Sequence, residues 1–271
     1  MRMPFGKAVK MILVSTLLVS GSAAAVVGYL RYVSSQKAHD DKYTIVAIVQ
    51  TCSEKEALKT VYLAEVLDLS IDKPVNLYRF NGKMATQRLM QSPLIKSAEV
   101  RKIPPGTIYV DYVSRVPIAF LADYANTAID AEGVPIPFKP FFTPKKLPEI
   151  YLGLDGGERD GLWGNVLEDQ RMELALEVLH YLAISYPEEI VKVQRIDVSQ
   201  SNASSYGQRQ VVIVFGEDAE RQIVRLIGDN YVEALANYHE LRHYLLKSEE
   251  APKIIDLRIP QLAFYVKEGE G

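Results

Sequence analysis

The apolar and polar positions change rhythm twice along this chain. From residue 11 to residue 30 no charge interrupts a hydrophobic run, and Lys10 and Arg31 bracket it. A helix over that stretch rises about 30 Å, the thickness of a bilayer's hydrocarbon core, so the pattern predicts one membrane-spanning helix. Residues 34–42 are polar and aperiodic, as in a linker. From Tyr43 onward, short segments switch between a period of two and a period near 3.6, the alternation expected of a mixed α+β region.

The first such segments read as strand, helix, helix, strand, strand. Residues 43–50 are rich in β-branched side chains, and Ser53 and Glu56 stand at capping-box spacing before a helix reaching about Leu67, with Leu58, Val61, Ala64 and Leu67 at helical intervals. A second helix over 82–91 gathers Met84, Leu89 and Met90 near one face and stops before Pro93. Strands over 96–102 and 107–115 flank Pro104, Pro105 and Gly106, which suit a hairpin turn. Ile108, Val110 and Tyr112 share one face of the second.

Beyond Pro117 strands dominate. They are expected at 118–122, 127–130 and 134–136 around an Asp130-Ala131-Glu132-Gly133 turn, then at 191–198, 210–215, 254–258 and 262–267. The proline-rich run 135–148 suits loop or edge positions, and 201–205 reads as a polar loop. Two helices interrupt the strands, one over 170–185 before Pro187 and one over 231–247.

Composition narrows the functions available. A net charge of −3 lacks the basic footprint of a nucleic-acid binder. Cys52 is the single cysteine, which excludes an internal disulfide and a thiolate zinc cage. Arg2, Lys7 and Lys10 precede the apolar run without an acid, whereas Asp40 and Asp41 dilute the basic residues behind it, so the N-terminus is expected in the cytoplasm. A cleaved signal peptide competes with retention, because Ser22, Ala23, Ala24 and Ala25 resemble a cleavage region.

His239-Glu240-Leu241-Arg242-His243 fits H-E-x-x-H on a predicted helix, the spacing of a zinc metalloprotease. Against this, Ala234, Tyr238, Leu241 and Leu245 form the apolar stripe and turn both histidines toward solvent, and Arg242 would oppose a bound cation. No pattern marks Asp256 or Glu268 as a third ligand. His39 and His180 read as surface histidines, Cys52 as a small half-buried hydrophobe, Trp163 as the closure of a core edge, and Asp155-Gly156-Gly157 and Asp160-Gly161 as turns.

A set of short motifs resembles the bacterial cell-division family FtsQ, also called DivIB. Val75-Asn76-Leu77-Tyr78 is similar to its entry to the second helix, and Pro93, Ser97-Ala98, Val100 and Arg101 to the passage that follows. Pro105-Gly106-Thr107-Ile108 resembles its turn, Arg115-Val116-Pro117-Ile118-Ala119 its interdomain junction, and Ile129-Asp130 with Gly133 a later turn. Leu147-Pro148 and Asp256-Leu257-Arg258 complete the series in the family's order. The chain departs at Ser114, where the family has an acid before the junction arginine, so a local ion pair is expected to be missing. The first helix also lacks the family's glycine-led start.

The resemblance implies a cytoplasmic tail (1–10), a transmembrane helix (11–31), a linker (32–42), a polypeptide-transport-associated (POTRA) domain (43–116), a β domain (117–267) and a short tail (268–271). It implies no enzyme activity and no cofactor. It also implies a periplasmic scaffold that joins FtsL-like and FtsB-like (DivIC) partners and helps recruit or regulate septal peptidoglycan synthesis. A final strand at a sheet edge can accept a partner strand, and Arg258, Ile259, Phe264 and Tyr265 are the expected contacts.

Overall fold

The computed structural model describes residues 5–55, 57–154, 161–217, 221–245 and 252–266. Glu56, the 155–160 turn region, residues 246–247 of the predicted last helix and the tail from Lys267 lie outside them. The chain clusters into two units, Met1–Met90 with Ser97–Val113, and Gln91–Lys96 with Ser114–Gly271. The short segment 91–96 therefore belongs with the second.

The apolar run lies inside one helix, α1 (Phe5–Lys37), longer at both ends than the hydrophobic stretch. Its portion from Leu13 to Lys37 has the length and composition to cross a membrane. The helix continues into the predicted linker because no Gly or Pro interrupts 32–37. Asn76 Nδ2 then donates to the carbonyls of Lys37 and Asp40, at 3.1 and 3.0 Å, satisfying acceptors at the helix end.

The rest of the first unit follows the expected order: β1 (Ala47–Cys52), α2 (Thr60–Val66), α3 (Gly82–Met90), β2 (Ile95–Ile103) and β3 (Thr107–Ser114). The sheet order is β1-β3-β2, with β1 parallel to β3 from Ala47↔Thr107 to Cys52↔Tyr112. Ile108, Val110 and Tyr112 are buried as the alternation predicts. The Leu58 amide donates to the Tyr112 hydroxyl at 2.8 Å, and burial pushes that phenol up to about 12.

The helices differ from expectation in phase. α2 starts at Thr60 behind Lys59, which makes no side-chain cap, so Ser53 is not its N-cap. Its buried positions are Leu63 and, at the C-cap, Leu67, one helical repeat apart, while Val61 is exposed. In α3, Asn81 Oδ1 accepts from the amides of Lys83 and Met84 at 3.1 and 3.2 Å. That start turns Ala85 and Leu89 inward and leaves Met84 and Met90 exposed on the flanks.

The second unit holds one nine-stranded sheet, built from β4 (Pro117–Leu121), β5 (Thr127–Asp130), β6 (Pro135–Pro137), β7 (Glu149–Tyr151), β8 (Val193–Asp197), β9 (Val211–Phe215), β10 (Gln222–Leu226), β11 (Ile254–Asp256) and β12 (Phe264–Val266). The order is β12-β11-β10-β9-β8-β7-β4-β5-β6. β7 and β10 are strands beyond those expected from the sequence. Both matter, because β7 pairs in parallel with β4 and β8, and β10 in parallel with β11. Parallel neighbours need a crossover, and α4 (Gln170–Ser185) and α6 (Tyr231–Leu245) supply it for β7/β8 and β10/β11.

The helices bury Met172, Ala175, Val178, Leu179 and Leu182 from α4, and Ala234, Leu235 and Tyr238 from α6, in one core with Ile150, Ile196, Ile213 and Val224 of the sheet. Pro187 does not simply end α4. It begins a further turn, α5 (Pro187–Ile190), where its missing N–H leaves no bond unmade.

Asp169 caps α4, accepting from the Arg171 amide at 2.8 Å while the Arg171 guanidinium meets it at 2.7 Å. Arg171 holds the Asp169 carboxyl below the usual carboxylate range. A carboxylate depressed in the folded state stabilises fully above its unfolded pKa, near 3.9, and loses that contribution as pH falls through the folded value. Asp169→Asn keeps a capping oxygen but not the charge. Its stability deficit, measured by chemical denaturation, is expected to be present at pH 7 and to shrink below about pH 4.

Candidate partner-binding edge

The predicted contact residues cluster around β11 and β12. β12 ends the sheet order, pairs with β11 on one side through Ile254↔Val266, Ile255↔Tyr265 and Asp256↔Phe264, and has no strand on the other among the described residues. The edge therefore retains hydrogen-bonding groups for an added strand.

Its side chains are unusual for an edge. Phe264, Tyr265 and Val266 are 55%, 50% and 45% exposed, so both faces of the strand present apolar surface. Natural edges are commonly blunted by charge or proline, and neither occurs within 264–266. Ile259 adds a further exposed apolar side chain, whereas Leu257, between the strands, points into the core.

Arg258 has a different local role. Its guanidinium pairs with Asp256 at 2.7 Å and donates to the Gly207 carbonyl at 3.1 Å, tying the end of β11 to the 206–208 turn. Burial raises the Asp256 carboxyl and the Arg258 hydrogen bond lowers it, with a net downward shift. Beside the edge, α6 carries Glu233, Asn237 and Glu240 along a groove of about 380 Å³ that also takes in Leu257, Leu262 and Ala263.

The H-E-x-x-H residues enter a different arrangement. His239 Nδ1 donates to Glu189 Oε1 at 2.7 Å, and Arg242 Nη1 lies 3.5 Å from the same oxygen. Arg242, which stands between the two histidines in the motif, is thus largely buried against a carboxylate. The His239 ring is half-exposed, and the His243 side chain lies outside the described residues. No group of three or more His, Cys, Asp or Glu suited to a metal occurs among the described residues. Glu189 is the partner that the sequence did not reveal, since it lies fifty residues before His239.

The remaining candidates are locally engaged. His39 Nδ1 sits 2.8 Å from the Ser35 carbonyl, and Trp163 Nε1 donates to Thr127 Oγ1 at 3.3 Å. Cys52 is half-buried at the end of β1. His180 borders an apolar groove of about 600 Å³ with Leu147, Leu176, Ile190 and Val191.

Arg115 corrects an expectation. Ser114 does replace the acid before it, yet Arg115 forms ion pairs with Asp130 at 2.5 Å and Glu132 at 3.1 Å, and Lys96 reaches Glu132 at 2.5 Å. The arginine finds its acids across the turn instead of beside it in sequence.

Residues 58–112 match the family model described as "POTRA domain, FtsQ-type". The matched segment opens at Leu58 and closes at Tyr112, the two residues joined by the buried hydrogen bond described above. A search of curated proteins gives no match.

Proposed function

We propose that this chain, which carries an FtsQ-type POTRA domain behind one apolar N-terminal helix and so fits the FtsQ/DivIB family, is a non-catalytic scaffold of bacterial cell division. The domain match is the observation that carries the reading. The helix anchors the scaffold in the cytoplasmic membrane with the N-terminus inside, and the folded units work in the periplasm at the division site. There they bind FtsB-like (DivIC-like) and FtsL-like single-pass proteins and help recruit or regulate septal peptidoglycan synthesis.

The partner is expected to add a strand beside β12, gaining main-chain hydrogen bonds along the edge and packing apolar side chains on Phe264, Tyr265 and Ile259. Arg258 supports the site by fixing the end of β11. Such an interface draws most of its energy from a few aromatic anchors.

The test is co-purification of the full chain from membranes with FtsB-like and FtsL-like partners. Tyr265→Lys should reduce recovery of the partners about tenfold or more, because truncating or charging an anchor costs roughly 2 kcal/mol or more. Arg258→Glu should weaken recovery while also loosening the 206–208 turn. Unchanged recovery with both substitutions would place the partner elsewhere, and absence of a tagged copy from the septum would remove the division role itself.

A further inference from the structure

The exit of α1 brings three exposed apolar segments of the first unit to one place. The carbonyls of Lys37 and Asp40 accept from Asn76, and the Lys37 ammonium lies 5.8 Å from the Tyr43 ring and 5.3 Å from the Tyr78 ring. The helix end is thus tied to the folded chain. Residues 44–46 then run between two partners, Ile45 donating to the Val75 carbonyl at 2.9 Å and Val46 to the Gly106 carbonyl at 2.8 Å. The 69–75 loop and the 104–106 turn therefore flank the first residues beyond the apolar helix.

What these segments expose is apolar. Ile71 is 98% and Val46 83% exposed, and both line a groove of about 410 Å³ with Ala64, Leu69 and Pro74. On its other side Val46 Cγ2 lies 3.6 Å from where a methyl group on Gly106 would sit, in the turn that exposes Ile103, Pro104 and Pro105. Apart from His39, residues 37–46, 68–75 and 102–106 carry four lysines and four aspartates, so charge of neither sign dominates. An apolar partner is what this surface recognises.

The helix puts one such partner within reach. The apolar run ends at Leu30 and α1 at Lys37, so the last stretch rises about 10 Å, against a headgroup layer of about 5–8 Å on each side of a bilayer. Tyr29 and Tyr32, both exposed on the helix, suit the same interface. The Asn76 clamp accordingly stands at the outer face of the headgroups, and Val75 of the groove is its neighbour in sequence.

We propose that Val46, Ile71 and the Ile103-Pro104-Pro105 turn sit in the headgroup layer of the bilayer that α1 crosses, and hold the first unit against the membrane surface. The proposal rests on the reading of α1 as a retained anchor. The contact is apolar and shallow, so it needs no anionic lipid.

Nitroxide labels test this on the full chain in phosphatidylcholine vesicles, in a Cys52→Ser background that removes the competing thiol. The labelled variants are Val46→Cys, Ile71→Cys, Leu17→Cys within the helix, and Val61→Cys in α2, which is 78% exposed. Val61 is the control because α2 starts near Leu58, whose amide reaches Tyr112, the partner of Cys52 at the far end of β1. The ratio of collisions with oxygen, which concentrates in lipid, to collisions with a water-soluble nickel complex is expected to be several-fold higher at 46 and 71 than at 61, and highest at 17. Ile71→Asp should lower the membrane-bound to free ratio of the label at 46 about tenfold, the worth of one isoleucine removed from an apolar contact. Adding phosphatidylglycerol should leave the values within about twofold. Values at 46 and 71 equal to that at 61, with 17 shielded from nickel, would overturn the proposal and leave the anchor standing. Nickel access at 17 would remove the anchor reading and the proposal with it. A signal at 46 and 71 that needs phosphatidylglycerol would put charge in place of apolar contact and also overturn the proposal.

Discussion

Asp130→Ala is expected to destabilise the β-rich unit by about 3–5 kcal/mol, lowering its melting temperature by roughly 10 °C in calorimetry of the full chain. The aspartate is 6% exposed and its partner Arg115 13% exposed. One carboxylate oxygen meets the guanidinium at 2.5 Å, and the other accepts from the amides of Glu132 and Val134, both at 2.9 Å. Gly133, at φ +75°, closes the turn those amides belong to. The substitution thus opens the turn and leaves a buried cation with only half-exposed Glu132 near it. Glu132→Ala is the contrast, since that side chain is 47% exposed and its pairs with Lys96 and Arg115 are screened by solvent, so little change in melting temperature is expected. A melting temperature for Asp130→Ala within two or three degrees of wild type, about 1 kcal/mol, would mean that the pair contributes little.

Gly106→Ala should be as disruptive in the first unit. A methyl group there would overlap the backbone oxygen of Thr44, with the Thr44 carbonyl carbon at 3.2 Å and Val46 Cγ2 at 3.6 Å. The Gly106 carbonyl accepts from Val46 at 2.8 Å and from Ala47 at 3.4 Å, so the chain entering β1 is held against this residue. Main chain, unlike the end of a flexible side chain, cannot rotate away. The expected cost is about 3 kcal/mol, the upper part of the range for overpacking, read as early loss of amide-exchange protection in β1. Gly207→Ala, where nothing lies within 4 Å, is the matched substitution with little expected effect. Equal protection of β1 in the two variants would contradict the account.

What could be read from the residues alone follows the strength of local signals. α4 appears at its observed bounds because apolar residues recur at helical spacing up to the stop that Pro187 imposes. β5 and β3 keep clean strand patterns between turn residues. β10 escapes because its inward position 222 is a glutamine, which breaks the apolar alternation. Only the fold supplies the Tyr238 hydroxyl at 2.9 Å and the Pro252 carbonyl at 3.3 Å that make a buried glutamine acceptable there. β7 escapes because three residues after a proline-rich run carry too little period to detect, and its stability comes from the parallel strands on either side. The same limit applies to the sites. Exposure of Phe264 and Tyr265 depends on β12 being last in the sheet, and the Glu189 cluster depends on two elements fifty residues apart meeting.

The assignment of 91–96 to the second unit bears on how the two parts could be separated or exchanged. The path leaves the first unit after Met90, returns to it at Ser97 and leaves again after Val113. A protease that nicks the chain only at 113–114 still leaves each unit joined to the other through the 91–96 segment, so limited digestion should give a nicked species that stays together until denatured. Recombination meets the same obstacle, because a graft cut at 113–114 carries 91–96 away with the first unit and leaves the second without six of its own residues.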